Sequence, residues 1–134
     1  MFLLDKSAFE SRRRSDTAAE FLRECQRADQ LAVNEVVALE ICYSARNGRE
    51  YDDLWEFTQR LRRLPITAEV SGKALELQRL LARRGQHRRP IPDLLIAATA
   101  LIYDVTVVHY DKDFDLIAEV SDMRARWIVP RGSL

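Results

Sequence analysis

Four acidic residues along this chain have flanks that set them apart. Asp5 closes the apolar run Phe2–Leu4, and Asp111 lies just past the β-branched run Val105–Val108. Asp93 follows Pro92 and opens a stretch, Leu94 to Tyr103, that is apolar almost all round. Glu40 sits between Leu39 and Ile41, with Val36 and Val37 one turn before it and Tyr43 nearly one turn after. A glutamate inside an apolar helical face is seldom buried without a partner. Asp113 is a fifth candidate, crowded beside Asp111 and Asp115.

Each residue also has an ordinary structural use. Asp5 fits a strand-end turn, Asp93 a helix cap, Asp111 and Asp113 a turn or cap, and Glu40 an ion pair with an arginine. Brought together, however, they have a chemical consequence. Two carboxylates about 4 Å apart repel by roughly 4 kcal/mol at an effective dielectric near 20. A pocket of several needs protons or a cation. Oxygen-only ligands select a hard ion, Mg²⁺ or Mn²⁺, whereas zinc prefers histidine or thiolate. His87 and His109 show no zinc spacing with each other or with a cysteine, and His109 fits a structural role at a strand end. A carboxylate-held ion can orient a water, lower its pKa and stabilise charge on a phosphate under attack. Hydrolysis of a phosphodiester is the chemistry these residues suit.

The elements that must carry these groups alternate. Strands are expected at Phe2–Leu4, Leu31–Val33, Leu64–Thr67, Val105–Val108 and Trp127–Val129. Helices are expected from about Thr17 to Asp29, Glu35 to Arg46, Arg49 to Arg63, Val70 to Leu81, Asp93 to Tyr103 and Phe114 to Val120. Ser15 or Asp16 caps the first, Asn34 caps the second, and Asn47–Gly48 reads as its stop. Tyr51, Leu54, Trp55, Thr58 and Leu61 form the inner stripe of the third. Gly85 closes the fourth, and 86–92 reads as a basic, proline-bearing loop. Short apolar strands without clear alternation imply a mainly parallel sheet covered on both faces, a three-layer α/β/α domain. In such sheets functional groups collect at the carboxyl ends of the strands, which is where Asp5 and Asp111 fall.

Composition narrows the classes. The 134 residues fit one domain, 1–134, with 47% hydrophobic and 31% charged residues. No apolar run approaches the roughly 18 residues of a membrane span, and Phe2–Leu4 is too short for a signal-peptide core. Cys25 and Cys42 lie in helix-like runs without ligand spacing, as reduced thiols packed in a core do. A cytoplasmic location is expected. Net charge is zero, with 21 basic and 21 acidic residues, so overall charge makes no case for nucleic acid. The basic residues are nearly all arginines, clustered at 12–14, 60–63 and 83–89. Arginine suits phosphate through its two-pronged fork, and each cluster also fits a solvated helix face.

The segments LLDKSAF, NEVVALEICYSAR, RPIPDLLIAATAL and VTVVHYDKDFDLIAEV resemble the PIN-domain toxins of VapC type, and the likeness spans essentially the whole chain. It implies a PIN-like fold and a metal-dependent endoribonuclease, the toxin of a type II toxin–antitoxin pair. It implies that Asp5 and Asp93 are direct metal ligands and that Asp111 or Asp113 completes the shell. Glu40 would hold a second metal or an ordered water, and Ser7 matches a hydroxyl beside the first aspartate. RNA substrate, a cognate antitoxin and a homodimer are implied as partners, with Trp55 and Phe57 suited to the antitoxin if they are not core. One departure is Lys6, where the family often has threonine; as a strand residue its side chain would point away from Asp5.

Two other classes compete. A phosphoacceptor receiver domain also clusters acids and Mg²⁺ at the carboxyl edge of a parallel sheet. It requires an acidic pair near the first strand and a lysine at the last strand's end, yet here Lys6 follows Asp5, and Pro130–Arg131 follow the last strand. A catalytically silent PIN-like binding module would have no reason to keep mutually repelling carboxylates.

Overall fold

The computed structural model describes residues 1–134. Five short strands, β1 (Phe2–Leu4), β2 (Leu31–Val33), β3 (Arg62–Arg63), β4 (Thr106–His109) and β5 (Ala125–Trp127), form one sheet in the order β3-β2-β1-β4-β5. Every neighbouring pair is parallel, and Leu3 aligns with Ala32 on one side and Val107 on the other. Leu3, Leu4, Ala32, Val33, Val107 and Val108 are completely buried, as strands covered on both faces must be. The chain winds from β1 outward through β2 to β3, then returns to β4 on the far side of β1. Parallel crossovers are right-handed as a rule, so reversal of winding between the two halves places helices on opposite faces, the expected three layers. The winding direction reverses between β1 and β4, so their carboxyl ends frame a crevice.

Seven helices fill the connections: α1 (Lys6–Ser11), α2 (Asp16–Arg27), α3 (Glu35–Tyr43), α4 (Gly48–Arg60), α5 (Ala68–Ala82), α6 (Ile91–Tyr103) and α7 (Asp113–Glu119). Side-chain oxygens of Ser15, Asn34, Asn47 and Thr67 cap α2 to α5 by accepting the amides of Ala18, Val37, Glu50 and Val70. Such caps contribute about 1 kcal/mol each. Asn34 does more. Fully buried, it also donates through Nδ2 to Thr99 Oγ1 at 3.0 Å, fixing the start of α3 against α6. No helix is long and apolar enough to cross a membrane.

Several boundaries differ from the sequence expectation for physical reasons. Helix α1 was not anticipated; Asp5 caps it, so the chain turns helical directly after β1. Asn47 starts α4 instead of stopping α3, which ends at Tyr43. The third strand is Arg62–Arg63, not Leu64–Thr67. An edge strand needs only its backbone, and after Leu64 donates to the Val33 carbonyl at 2.9 Å the chain leaves the sheet. β5 runs from Ala125 to Trp127, while Ile128 and Val129, expected within it, are buried just beyond. α6 begins at Ile91, because Pro92 in a first turn removes an amide that has no helical partner anyway. On α4, Leu54 and Thr58 face the core, but Tyr51 and Trp55 are 42% and 49% exposed. Phe57 instead stacks on Phe9.

Candidate active site

β1 delivers Asp5 to the crevice with its amide donating to the Val108 carbonyl at 3.0 Å. Asp5 is 5% exposed. Its Oδ2 accepts hydrogen bonds from both the amide and the hydroxyl of Ser7. The same Ser7 hydroxyl accepts from the Tyr110 amide at 2.8 Å. Lys6 is not a strand residue: it opens α1, and its ammonium lies 3.5 Å from Glu10.

The turn after β4 supplies Asp111 and Asp113. The Asp111 amide donates to His109 Nδ1 at 3.1 Å, and Asp111 Oδ1 accepts from the Asp113 amide at 2.9 Å. His109 is fully buried against Phe114 and Trp127. Burial holds its pKa down at about 4, so it serves as a neutral acceptor in the wall. Asp115 turns away, accepting from Trp127 Nε1.

Asp93 comes from the first turn of α6. That helix has no side-chain cap, which removes the simple capping use of Asp93. Only 7% exposed, the residue keeps a buried Oδ2 with no hydrogen-bond partner. Carboxylate oxygens of Asp93, Asp111 and Asp113 lie within 4.8 Å of one another. Glu40 enters from α3. It makes no ion pair with any arginine, and its buried Oε1 also lacks a partner.

Electrostatics joins the five. Burial, then Asp5, Asp111, Asp113 and Glu40 in that order, push the Asp93 pKa up to about 8. Burial raises the Asp5 pKa, with Ser7 pulling the other way and Asp111 adding to the rise. Glu40 is raised by burial and then by Asp5, while Lys6 draws it back. Asp93 therefore sits at the centre of the charge. Asp5 and Glu40 fall outside the close trio, and Asp5 Oδ2 is bonded to Ser7. Two orphaned carboxylate oxygens and an all-oxygen donor set fit a hard divalent cation.

A sequence profile of the PIN domain matches residues 2–120. The chain belongs to the PIN-domain family. This PIN domain is 42% identical over 135 residues to Ribonuclease VapC51 of Mycobacterium tuberculosis, covering 99% of this chain and 96% of that one. It is 39% identical over 137 residues to Ribonuclease VapC18 of the same organism, covering 100% and 99%. Among solved structures, VapBC2 from Rickettsia felis, bound to a promoter DNA fragment, superposes with a TM-score of 0.77 at 18% identity, covering 94% of this chain and 98% of that one. FitAcB from Neisseria gonorrhoeae gives 0.75 at 20% identity, covering 96% and 98%. At those identities the likeness is one of fold.

Sequence reasoning about this PIN domain placed Arg89 in a phosphate-suited cluster, 83–89, but did not tie it to the acidic residues. Its Nη1 donates to Asp113 Oδ1 at 2.8 Å, with side chains 25% and 18% exposed. The available signal was position: the basic run 86–90 leads straight into the turn that holds Asp93.

Proposed function

We propose that this chain is a metal-dependent endoribonuclease, the toxin of a type II toxin–antitoxin pair. The observation that carries the reading is the approach of Asp93, Asp111 and Asp113 to within 4.8 Å around an Asp93 oxygen left without a partner. The ribonuclease names of the relatives support it. Asp93, Asp111 and Asp113 would hold Mg²⁺ or Mn²⁺ with Asp5 beside them, and the ion would supply Lewis acidity toward the phosphodiester and an acidified water. The remaining work belongs to the protein. Asp93, held protonated at neutral pH among four other acids, would have to give up that proton to serve as a ligand. Glu40, held by α3 with a free Oε1, orients the attacking water and takes its proton. Ser7 keeps Asp5 turned correctly, and His109 fixes the Asp111 turn from behind.

Residues 1–134 act as one domain in this reading, supported by a 32-residue buried cluster drawn from both halves of the sheet. The antitoxin partner finds a surface in the groove between α3 and α4. Leu39, Tyr51 and Trp55 are exposed along it, around a cavity of about 320 Å³ ending at Glu35 and Arg63. An amphipathic helix fits such a groove. VapBC complexes among the fold's neighbours support an antitoxin as the partner; the groove itself is singled out by its exposed apolar residues. A homodimer would use the α5–α6 face, where Leu75 and Ile91 are exposed. Two buried, unpaired cysteines support a reducing, cytoplasmic location.

RNA cleavage by purified protein tests the function. EDTA stops it, excess Mn²⁺ restores it, and Asp93→Asn folds but does not cleave. Full activity in that variant at matched purity removes the proposal.

A further inference from the structure

We infer that Arg89 is the phosphate-binding cation of this site, receiving the RNA phosphate beside the acidic trio; the inference rests on the nuclease reading above.

Charge balance creates the need. Asp5, Glu40, Asp93, Asp111 and Asp113 place up to five negative charges around one pocket. A divalent ion cancels two, and an RNA phosphodiester arrives with one more. A fixed cation at the rim removes the repulsion that the phosphate would otherwise meet. Arg89 is the only basic residue bonded to any of the five carboxylates. Lys6 pairs with Glu10, and Arg131 lies at 3.6 Å from Asp115 outside the trio.

Arg89 is placed to meet a phosphate at the rim of the acidic trio. Arg89 donates once, through Nη1 to Asp113, and its buried Nε has no partner. Nη2 makes no hydrogen bond within the protein and is left for a phosphate oxygen, held in the rigid plane of the guanidinium. The residue is also held in place. The next residue, Pro90, accepts the Asp93 amide at 3.0 Å, so the backbone of Arg89 is locked one turn from the central carboxylate. Both side chains of the Arg89–Asp113 pair are less exposed than a third, which holds for no other ion pair in the chain.

The test separates RNA binding from cleavage and from metal binding. RNA affinity is measured for Asp93→Asn, alone and combined with Arg89→Gln or Arg89→Lys, and Mn²⁺ affinity is measured by calorimetry for each single Arg89 variant. Arg89→Gln should weaken RNA binding about ten-fold, with Arg89→Lys between it and the parent. Mn²⁺ affinity should stay level or rise, since a cation competing for Asp113 is gone. RNA affinity unchanged in both variants overturns the inference, as does Mn²⁺ affinity falling in parallel with RNA affinity, because Arg89 would then only shape Asp113. Should Arg89→Gln fail to fold, Arg89→Lys alone decides on the same criteria. If the parent protein with Mn²⁺ neither binds nor cleaves RNA, the nuclease reading itself fails and takes the inference with it.

Discussion

Ser7 and Tyr110, 103 residues apart, meet in one hydrogen bond: the Tyr110 amide donates to the Ser7 hydroxyl at 2.8 Å while that hydroxyl donates to Asp5. One oxygen therefore ties the end of β1 to the turn that carries Asp111 and Asp113. Ser7→Ala takes a donor from Asp5 and leaves a part-buried amide unpaired, at a cost of about 1–3 kcal/mol. Urea unfolding should register that loss, and cleavage should slow about ten-fold as the two halves of the site lose register. Unchanged unfolding and unchanged cleavage would mean that water replaces the hydroxyl and the tie is incidental.

Asp93 makes the metal-free protein sensitive to alkali. Its folded pKa of about 8 lies above the ordinary 3.8, chiefly through burial and then through Asp5, Asp111, Asp113 and Glu40. Below pH 3.8 both folded and unfolded chains hold this proton. Between that value and about 8 the folded chain keeps it while the unfolded chain has lost it, so stability falls as pH rises. Thermal melts in EDTA should show a declining Tm across this window. Asp93→Asn should flatten the decline. Mn²⁺ at about 100 times its Kd should raise stability by roughly 2.7 kcal/mol in the parent. A parent Tm in EDTA that is level from pH 5 to pH 8, roughly the span below that pKa, would contradict the charge arrangement.

Much of this site was legible because its acids punctuate apolar segments: Asp5 ends one, Asp111 follows another, and Glu40 interrupts a third. Burial forces such segments into strands or core helices, so their interruptions fall at the edge where the structure gathers these acids. Arg89 was legible only as one of a phosphate-suited cluster; its tie to the acids was not, since an arginine in a basic loop looks like any other until Asp113 is brought to it across 24 residues. β3 escaped for a related reason. Arg62 and Arg63 join the sheet through their backbone, with side chains in solvent that leave no apolar pattern. α1 was hidden by the double use of Asp5, whose carboxylate both faces the pocket and caps the helix.

Glu40 and the trio should separate experimentally. Glu40 stands outside the 4.8 Å grouping, so Glu40→Gln should leave Mn²⁺ affinity within about three-fold of the parent, while cleavage falls by roughly 10²–10⁴ through loss of the base. Calorimetry and single-turnover cleavage on the same preparation measure both. Collapse of Mn²⁺ affinity would instead make Glu40 a ligand.

Trp55 tests the groove proposed for the antitoxin. Tyr51 and Trp55 lie four residues apart on α4, the same spacing that Leu54 and Thr58 use to face inward, so periodicity alone cannot tell an interface stripe from a core stripe. The exposure can: Trp55 is 49% exposed and Leu54 is 8%. Replacing a half-exposed residue costs about 0.5 kcal/mol or less in stability, whereas truncating an aromatic anchor in a docked groove costs about 2 kcal/mol or more. Trp55→Glu should therefore keep the parent's Tm and its RNA cleavage. Affinity for the antitoxin should fall at least about thirty-fold, since the change both removes the anchor and places a charge on the apolar wall. Co-expression should read the same way, with growth arrest by the variant no longer relieved at antitoxin levels that neutralise the parent. Equal neutralisation of the two proteins would move the antitoxin off the α3–α4 groove.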